Sequence, residues 1–172
     1  MNILITYSTR TGNTEKVATA MAKALEKSAS LIRAEDLPAD IPHYDLVLAG
    51  FWADRGTANQ DSRDVLKRLH GTKVAVFGTC GAYADSDHAR ECLANAAALV
   101  PEDSTVLGTW ICQGKVDPKI VEMMAAMFPK GHPHSMTPER IARLEEAKKH
   151  PNDEDLAHAG AWALEMVKGA SL

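Results

Sequence analysis

The sequence predicts an open α/β sheet, with parallel strands buried on both faces and helices packed over them. Three observations carry this reading. Apolar runs at 2–7, 45–50 and 73–78 lack polar alternation, as strands covered on both faces require. Intervening stretches place apolar residues at helical spacing, as Val17, Met21, Ala24 and Leu25 do. The two patterns alternate along the chain, which selects right-handed crossovers and a parallel sheet.

The elements follow in order. The first strand is 2–7 and the first helix 13–27. Residues 30–34 form a short second strand, and Pro38 and Pro42 make 36–42 a loop. The third strand, 45–50, leads into a loop at 51–59. Asp61, Val65, Leu66 and Leu69 mark the second helix, and 73–78 is the fourth strand. A third loop, 79–85, precedes a helix carrying Ala89, Cys92, Leu93, Ala96 and Leu99 on one face. The fifth strand is 104–111.

Beyond it the chain takes a detour before its last helix. Asp117-Pro118 starts a helix with Ile120, Val121, Met124 and Phe128 on one side. Met123, Met124 and Met127 read as core packing on it. A Pro- and His-containing loop follows. Thr137-Pro138-Glu139 then opens a charged, surface-lying helix that Pro151 ends. Asn152 and the acids behind it start the terminal helix, with Leu156, Ala163, Leu164 and Val167 facing the sheet. The chain reads as one domain, 1–172, with an inserted segment at about 115–150.

Composition narrows the function classes. The 172 residues are 45% hydrophobic and 24% charged, with a formal net charge of -4. That balance speaks against nucleic acid, which calls for a basic face. No apolar run has the length of a membrane span. Met1-Asn2-Ile3 leads directly into a strand, with no charged leader, so a cytoplasmic location is expected. Cys80, Cys92 and Cys112 are odd in number and widely spaced, which fits reduced thiols in that compartment.

The stretch carrying chemistry is Thr9-Arg10-Thr11-Gly12-Asn13-Thr14, between the first strand and the first helix. Backbone N–H groups at a helix start are unpaired and partly positive, and so attract phosphate. Hydroxyls at Thr9, Thr11 and Thr14 add donors, and Gly12 allows close approach of the backbone. The loop lacks the Gly-Lys-Ser/Thr ending of a nucleoside-triphosphate loop and suits a terminal monophosphate. Ligands in such sheets lie beyond the carboxyl ends of the strands. The loops after the first, third and fourth strands therefore face one ligand. Phe51, Trp52 and Tyr83 all fall in two of them, in a chain only 5% aromatic.

These residues resemble the flavodoxin family. The resemblance rests on Thr9-x-Thr11-Gly12-Asn13-Thr14 followed by Glu15, on the strand ending at Gly50, and on Lys73 to Gly78 leading into a glycine-containing loop. It implies a three-layer, open, parallel five-stranded sheet of order 2-1-3-4-5, a non-covalent FMN and one-electron transfer between redox proteins. It implies that Thr9, Arg10, Thr11, Gly12, Asn13 and Thr14 hold the phosphate. Phe51, Trp52 and Ala53 would line one face of the isoalloxazine. Thr79, Cys80, Gly81 and Tyr83 would line the other face and its edge.

Three features depart from the family. The chain is only mildly acidic, so its site would oppose the negatively charged reduced flavin less strongly. Arg10 lies inside the phosphate loop and either pairs with the phosphate or points to solvent. The insertion offers a partner surface or a lid. Two further constellations are weaker. His132-Pro133-His134 lacks further ligands at metal-site spacing. Cys80 reads as a small packing residue at the flavin edge or as a reactive thiol. Gln113 and Lys115, after the fifth strand, either touch a ligand or form a plain turn.

The leading expectation is an FMN-binding electron carrier, a monomer or weak dimer. It would shuttle electrons between a reductase and an acceptor redox enzyme without nucleic-acid or membrane partners. The alternative is an FMN-dependent oxidoreductase acting on a quinone or tetrapyrrole, with Tyr83 or His88 as proton donor. A flavin-free binding module is the third reading, and the hydroxyl-rich loop argues against it.

Overall fold

Each long apolar run becomes a strand of one sheet. The computed structural model describes residues 1–26 and 28–172. Among them the strands are β1 (Ile3–Tyr7), β2 (Ala29–Arg33), β3 (Leu46–Asp54), β4 (Thr57–Ala58), β5 (Lys73–Cys80) and β6 (Thr105–Gln113). The helices are α1 (Asn13–Ala24), α2 (Gln60–Leu66), α3 (Asp87–Ala97), α4 (Pro118–Met127), α5 (Pro138–Ala147) and α6 (Asp153–Ala170). The first helix was expected to run to Lys27, which lies outside the described residues. Leu69 and Leu99 fall just past α2 and α3, yet both pack on the core.

The sheet order is β2-β1-β3-β5-β6, all parallel, with β4 paired antiparallel to β3. This is the expected five-stranded order with one two-residue strand added. The addition has a local cause. β3 does not stop at Gly50 but pairs on with β5, Phe51 opposite Gly78 and Trp52 opposite Thr79. It then turns through Arg55 and Gly56, both at positive φ, into β4. The stretch expected as a loop at 51–59 is therefore a strand end and a hairpin.

Side chains alternate across β3 and separate the core into two halves. Val47, Ala49 and Phe51 face α2 and α3, with Val65, Leu66, Ala89 and Cys92. Leu46 and Leu48 face α1 and α6, with Val17, Met21, Phe77, Ala159 and Ala163. Two rings cover cross-strand glycines: Phe51 lies over Gly78 and Phe77 over Gly50. A Cβ on Gly78 would come within 2.6 Å of the Phe51 ring, so these glycines are needed for close packing. Helix α6 is tied down by a capping box, Asn152 and Asp155 each bonding the other's amide. Its Leu164, expected to face the sheet, is 42% exposed.

The insertion packs differently. Every side chain of α4 is at least partly exposed, Met123 at 53% and Met127 at 62%. The expectation that these methionines are core is thereby corrected: no layer lies over that helix face among the described residues. Arg140 holds the α4–α5 loop through the carbonyls of Ser135 (2.7 Å) and Pro133 (3.1 Å). Phe128 stacks on His132 there. No helix is long and apolar enough to cross a membrane, among the described residues.

Candidate functional site

Because all five strands run parallel, β1, β3 and β5 end at one edge of the sheet, and their loops share a cleft. Helix α1 starts there at Gly12, whose φ of 88° suits glycine. No side chain caps this helix, so its first-turn N–H groups keep their donor capacity. The Thr9 hydroxyl accepts from the Gly12 amide at 3.0 Å and fixes the loop's curl.

Buried side-chain bonds join the loops to one another. The Thr14 and Thr79 hydroxyls are 2.9 Å apart, linking the start of α1 to the end of β5. Asn59, 2% exposed, donates to the Ser8 hydroxyl at 2.9 Å and accepts from the Trp52 amide at 3.3 Å. It thus connects the end of β1 to the end of β3. Ser62 donates to the Gly50 carbonyl at 2.9 Å. Asn59 was not singled out in the sequence. Its role depends on the hairpin that brings residue 59 back beside residue 52, and that hairpin was read as loop.

Ten of the thirteen expected residues line the cleft: Thr9, Arg10, Thr11, Asn13, Thr14, Trp52, Ala53, Thr79, Cys80 and Gly81. Gly12 shapes the loop from behind. Phe51 is corrected: its ring is wholly buried beneath the cleft and offers no face to a ligand. Strand alternation sends residue 51 into the core and leaves residue 52 at the site. Tyr83 lies beyond the cleft, 42% exposed, beside a separate depression with Gln113, Glu146, His150 and Asp155.

Arg10 is exposed, as one of its two expected positions requires, and it also reaches across the cleft. Its Nε pairs with Asp117 Oδ2 at 3.2 Å, and its guanidinium carbon lies 5.6 Å from the centre of the Trp52 ring. The Lys119 amide and this guanidinium hold the Asp117 carboxyl below the usual carboxylate range. Glu15, which completes the loop motif, points away from the cleft. Tyr7 and Arg33 both donate to it, at 3.0 and 3.1 Å. Burial pushes the Cys80 thiol up to about 11, so it keeps its proton at neutral pH and serves as packing. Cys92 and Cys112 are likewise free and buried.

The cleft has a fourth wall that the sequence left open between ligand contact and plain turn. Gly114, Lys115, Val116, Asp117 and Ile120 line it opposite the phosphate loop. The Lys115 carbonyl accepts from Asn13 Nδ2 at 2.9 Å and from the Thr11 hydroxyl at 3.5 Å. Gln113 is 4% exposed and donates to the carbonyls of Gly81 (3.1 Å) and Arg143 (3.3 Å), which ties α5 to the same loop.

The residues fit a phosphorylated, flat aromatic ligand. An uncapped helix start ringed by threonine hydroxyls suits a phosphate, and an indole stands beside it for a ring to stack on. Comparison with known proteins decides the family. A family model for a flavodoxin domain matches residues 4–163. The chain belongs to the flavodoxin family. A flavodoxin-like domain-containing protein, BilS, of Clostridioides difficile (strain CD3) is 28% identical, the match covering 100% of this chain and 99% of the relative. Its namesake from Clostridium symbiosum (strain WAL-14163) is 24% identical over the same shares of each chain. Among solved structures, Fusobacterium nucleatum flavodoxin bound to flavin mononucleotide superposes with TM-score 0.59 at 14% identity, covering 98% of both chains. A short-chain flavodoxin associated with a bacterial microcompartment gives 0.57 at 16% identity, covering 99% of both. At such identities the structures speak for the fold alone. The sheet and helices of this chain agree with them.

Proposed function

We propose that this flavodoxin-family chain binds FMN non-covalently in the cleft and carries electrons between a reductase and an acceptor redox enzyme. The observation that carries the reading is the juxtaposition of the uncapped, hydroxyl-rich start of α1 with Trp52 in one cleft. The start of α1 would take the phosphate. Trp52 would stack on the isoalloxazine once Arg10 moves off its face. Bound FMN supplies the redox chemistry, and the protein supplies binding, orientation and electrostatics.

The composition of the cleft favours a carrier over an enzyme with its own acid–base groups. Its ionisable side chains are Arg10, Cys80, Lys115 and Asp117. Tyr83 and His88, the candidate proton donors of the enzyme reading, lie outside it. His88 is exposed on α3 with its Nε2 3.6 Å from Cys92 Sγ.

The test is a fluorescence titration with FMN and with riboflavin, which lacks the phosphate. A hydrogen bond to a charged group contributes about 1.5–3 kcal/mol. Thr11→Ala should therefore weaken FMN about tenfold or more and leave riboflavin unchanged. Equal affinity of wild type for the two ligands would remove the phosphate assignment. Loaded protein should stay oxidised with NADPH alone and be reduced when a flavin reductase is added. Reduction by NADPH alone would move the reading to an enzyme.

A further inference from the structure

We infer that Gly114–Asp117 is a latched fourth wall of the cofactor cleft, and that its opening governs how fast FMN enters and leaves. The inference rests on the FMN reading above. It starts from size. The cleft encloses about 100 Å³, whereas pockets for ligands of this class run to roughly 300–1,000 Å³. Some part of the lining moves when such a ligand is loaded, and the packing singles out which part.

The other three sides are anchored in the sheet and joined by the buried Thr14–Thr79 and Asn59–Ser8 bonds. The fourth side begins where β6 ends and leads into α4, whose side chains are all partly exposed. It is pinned to β5 at its first residue, where the Gly114 amide donates to the Cys80 carbonyl at 2.8 Å, and beyond that its attachments are to the site and to His150. The Gly114 backbone sits so close to Asn13 that a Cβ would lie 2.6 Å from Nδ2. Val116 packs over Gly81, where a side chain would collide with it. The Lys115 carbonyl receives Asn13 Nδ2 and the Thr11 hydroxyl. Asp117 holds Arg10, and behind the wall the Lys115 amide donates to the His150 carbonyl at 3.1 Å.

The Asp117–Arg10 pair is the latch. It joins the wall to the phosphate loop, and it keeps the guanidinium over Trp52, where the isoalloxazine would stack. Swinging the wall outward breaks this pair and frees the indole face in one movement. Asp117 is a positioning residue, and its two carboxylate oxygens divide two tasks. Oδ2 takes Arg10, while Oδ1 caps α4 by accepting from the Lys119 amide at 3.0 Å.

That division makes Asp117→Asn a clean probe, since asparagine caps a helix as well as aspartate does. The experiment follows FMN binding to cofactor-free full-length protein by stopped-flow flavin fluorescence, at low and high salt. An exposed ion pair of this kind is worth about a two- to fivefold effect. Asp117→Asn should raise the association rate by that factor at low salt and leave the dissociation rate near that of wild type, because the pair is already broken once the ligand occupies the indole face. The two proteins should converge near 1 M salt, where screening acts within about 3 Å. Gly114→Ala, which displaces Asn13 and loosens the wall itself, should raise the dissociation rate. Unchanged rates in Asp117→Asn overturn the latch. A rise in dissociation alone also overturns it, because that marks a lost support and not a gate. Wild type that fails to bind FMN sinks the cofactor reading and the latch together. Wild type that binds, with an unaltered variant, sinks the latch alone.

Discussion

The sheet with its strand-end loops and the inserted segment put their apolar side chains to different ends. Around the sheet, Phe51, Phe77, Val74 and Leu48 are fully buried, and polar groups such as Thr14 and Asn59 find partners inside. In α4 the apolar residues Ile120, Val121, Met123, Met124 and Met127 all keep some contact with solvent. Periodicity reports which face of an element is apolar. Whether another layer lies over that face depends on the rest of the chain. The same contrast separates the sides of the site that are strand ends from its fourth wall, which leaves the buried end of β6 for the exposed helix α4.

The largest expected effect tests the rigid region. Phe51→Ala removes a fully buried ring lying over Gly78 and leaves a cavity between β3, β5 and the α2/α3 layer. It should lower unfolding stability by about 3–5 kcal/mol in a denaturant titration. A loss below about 1 kcal/mol would return residue 51 to the surface and revive its place beside the ligand.

Residue 51 also shows what was legible in advance. Runs of apolar residues buried on both faces identify strands, and a hydroxyl-rich, glycine-containing loop after the first strand identifies one side of the cleft. Both signals are local. The split between Phe51 and Trp52 was not read, because Asp54, Arg55 and Gly56 look like the start of a loop. The strand in fact continues to Asp54, and its alternation puts neighbouring aromatics on opposite faces. The long-range bonds of Asn59 and Asp117 were illegible for a different reason, although Asp117 was read as the start of its helix. Each acts on a residue brought near only by folding, Asn59 on Ser8 and Asp117 on Arg10, across 51 and 107 positions of sequence.

A pH experiment probes the seam between the two regions. His150, at the end of the insertion, has Nδ1 2.6 Å from Asp155 at the start of α6 and Nε2 3.4 Å from Glu146 of α5. Lys149 pairs with the same Glu146 at 2.7 Å, and Tyr83 faces the depression they share. The hydrogen bond His150 donates to Asp155, with Glu146 behind it, raises the His150 pKa above its ordinary value against the opposing effect of burial. A raised imidazole contributes stability fully below its unfolded pKa of about 6.5 and loses it as pH rises through the folded value. The Tm difference between wild type and His150→Gln should be largest near pH 6, positive for wild type, and shrink toward pH 9. A difference that grows with pH would mean that His150 acts as a neutral packing group.

The smallest expected effect completes the comparison. Met123→Ser and Met127→Ser change large apolar side chains, and in a core each would cost several kcal/mol. Here both side chains are more than half exposed, and exposed substitutions away from caps and networks usually fall within about 0.5 kcal/mol. Thermal unfolding of either variant should match wild type to about that amount. A loss above about 2 kcal/mol would mean that a second molecule or another part of the chain covers α4 in solution. Dilution then separates the two cases. Cover by a second copy makes Tm fall with protein concentration, whereas cover within the chain leaves it constant.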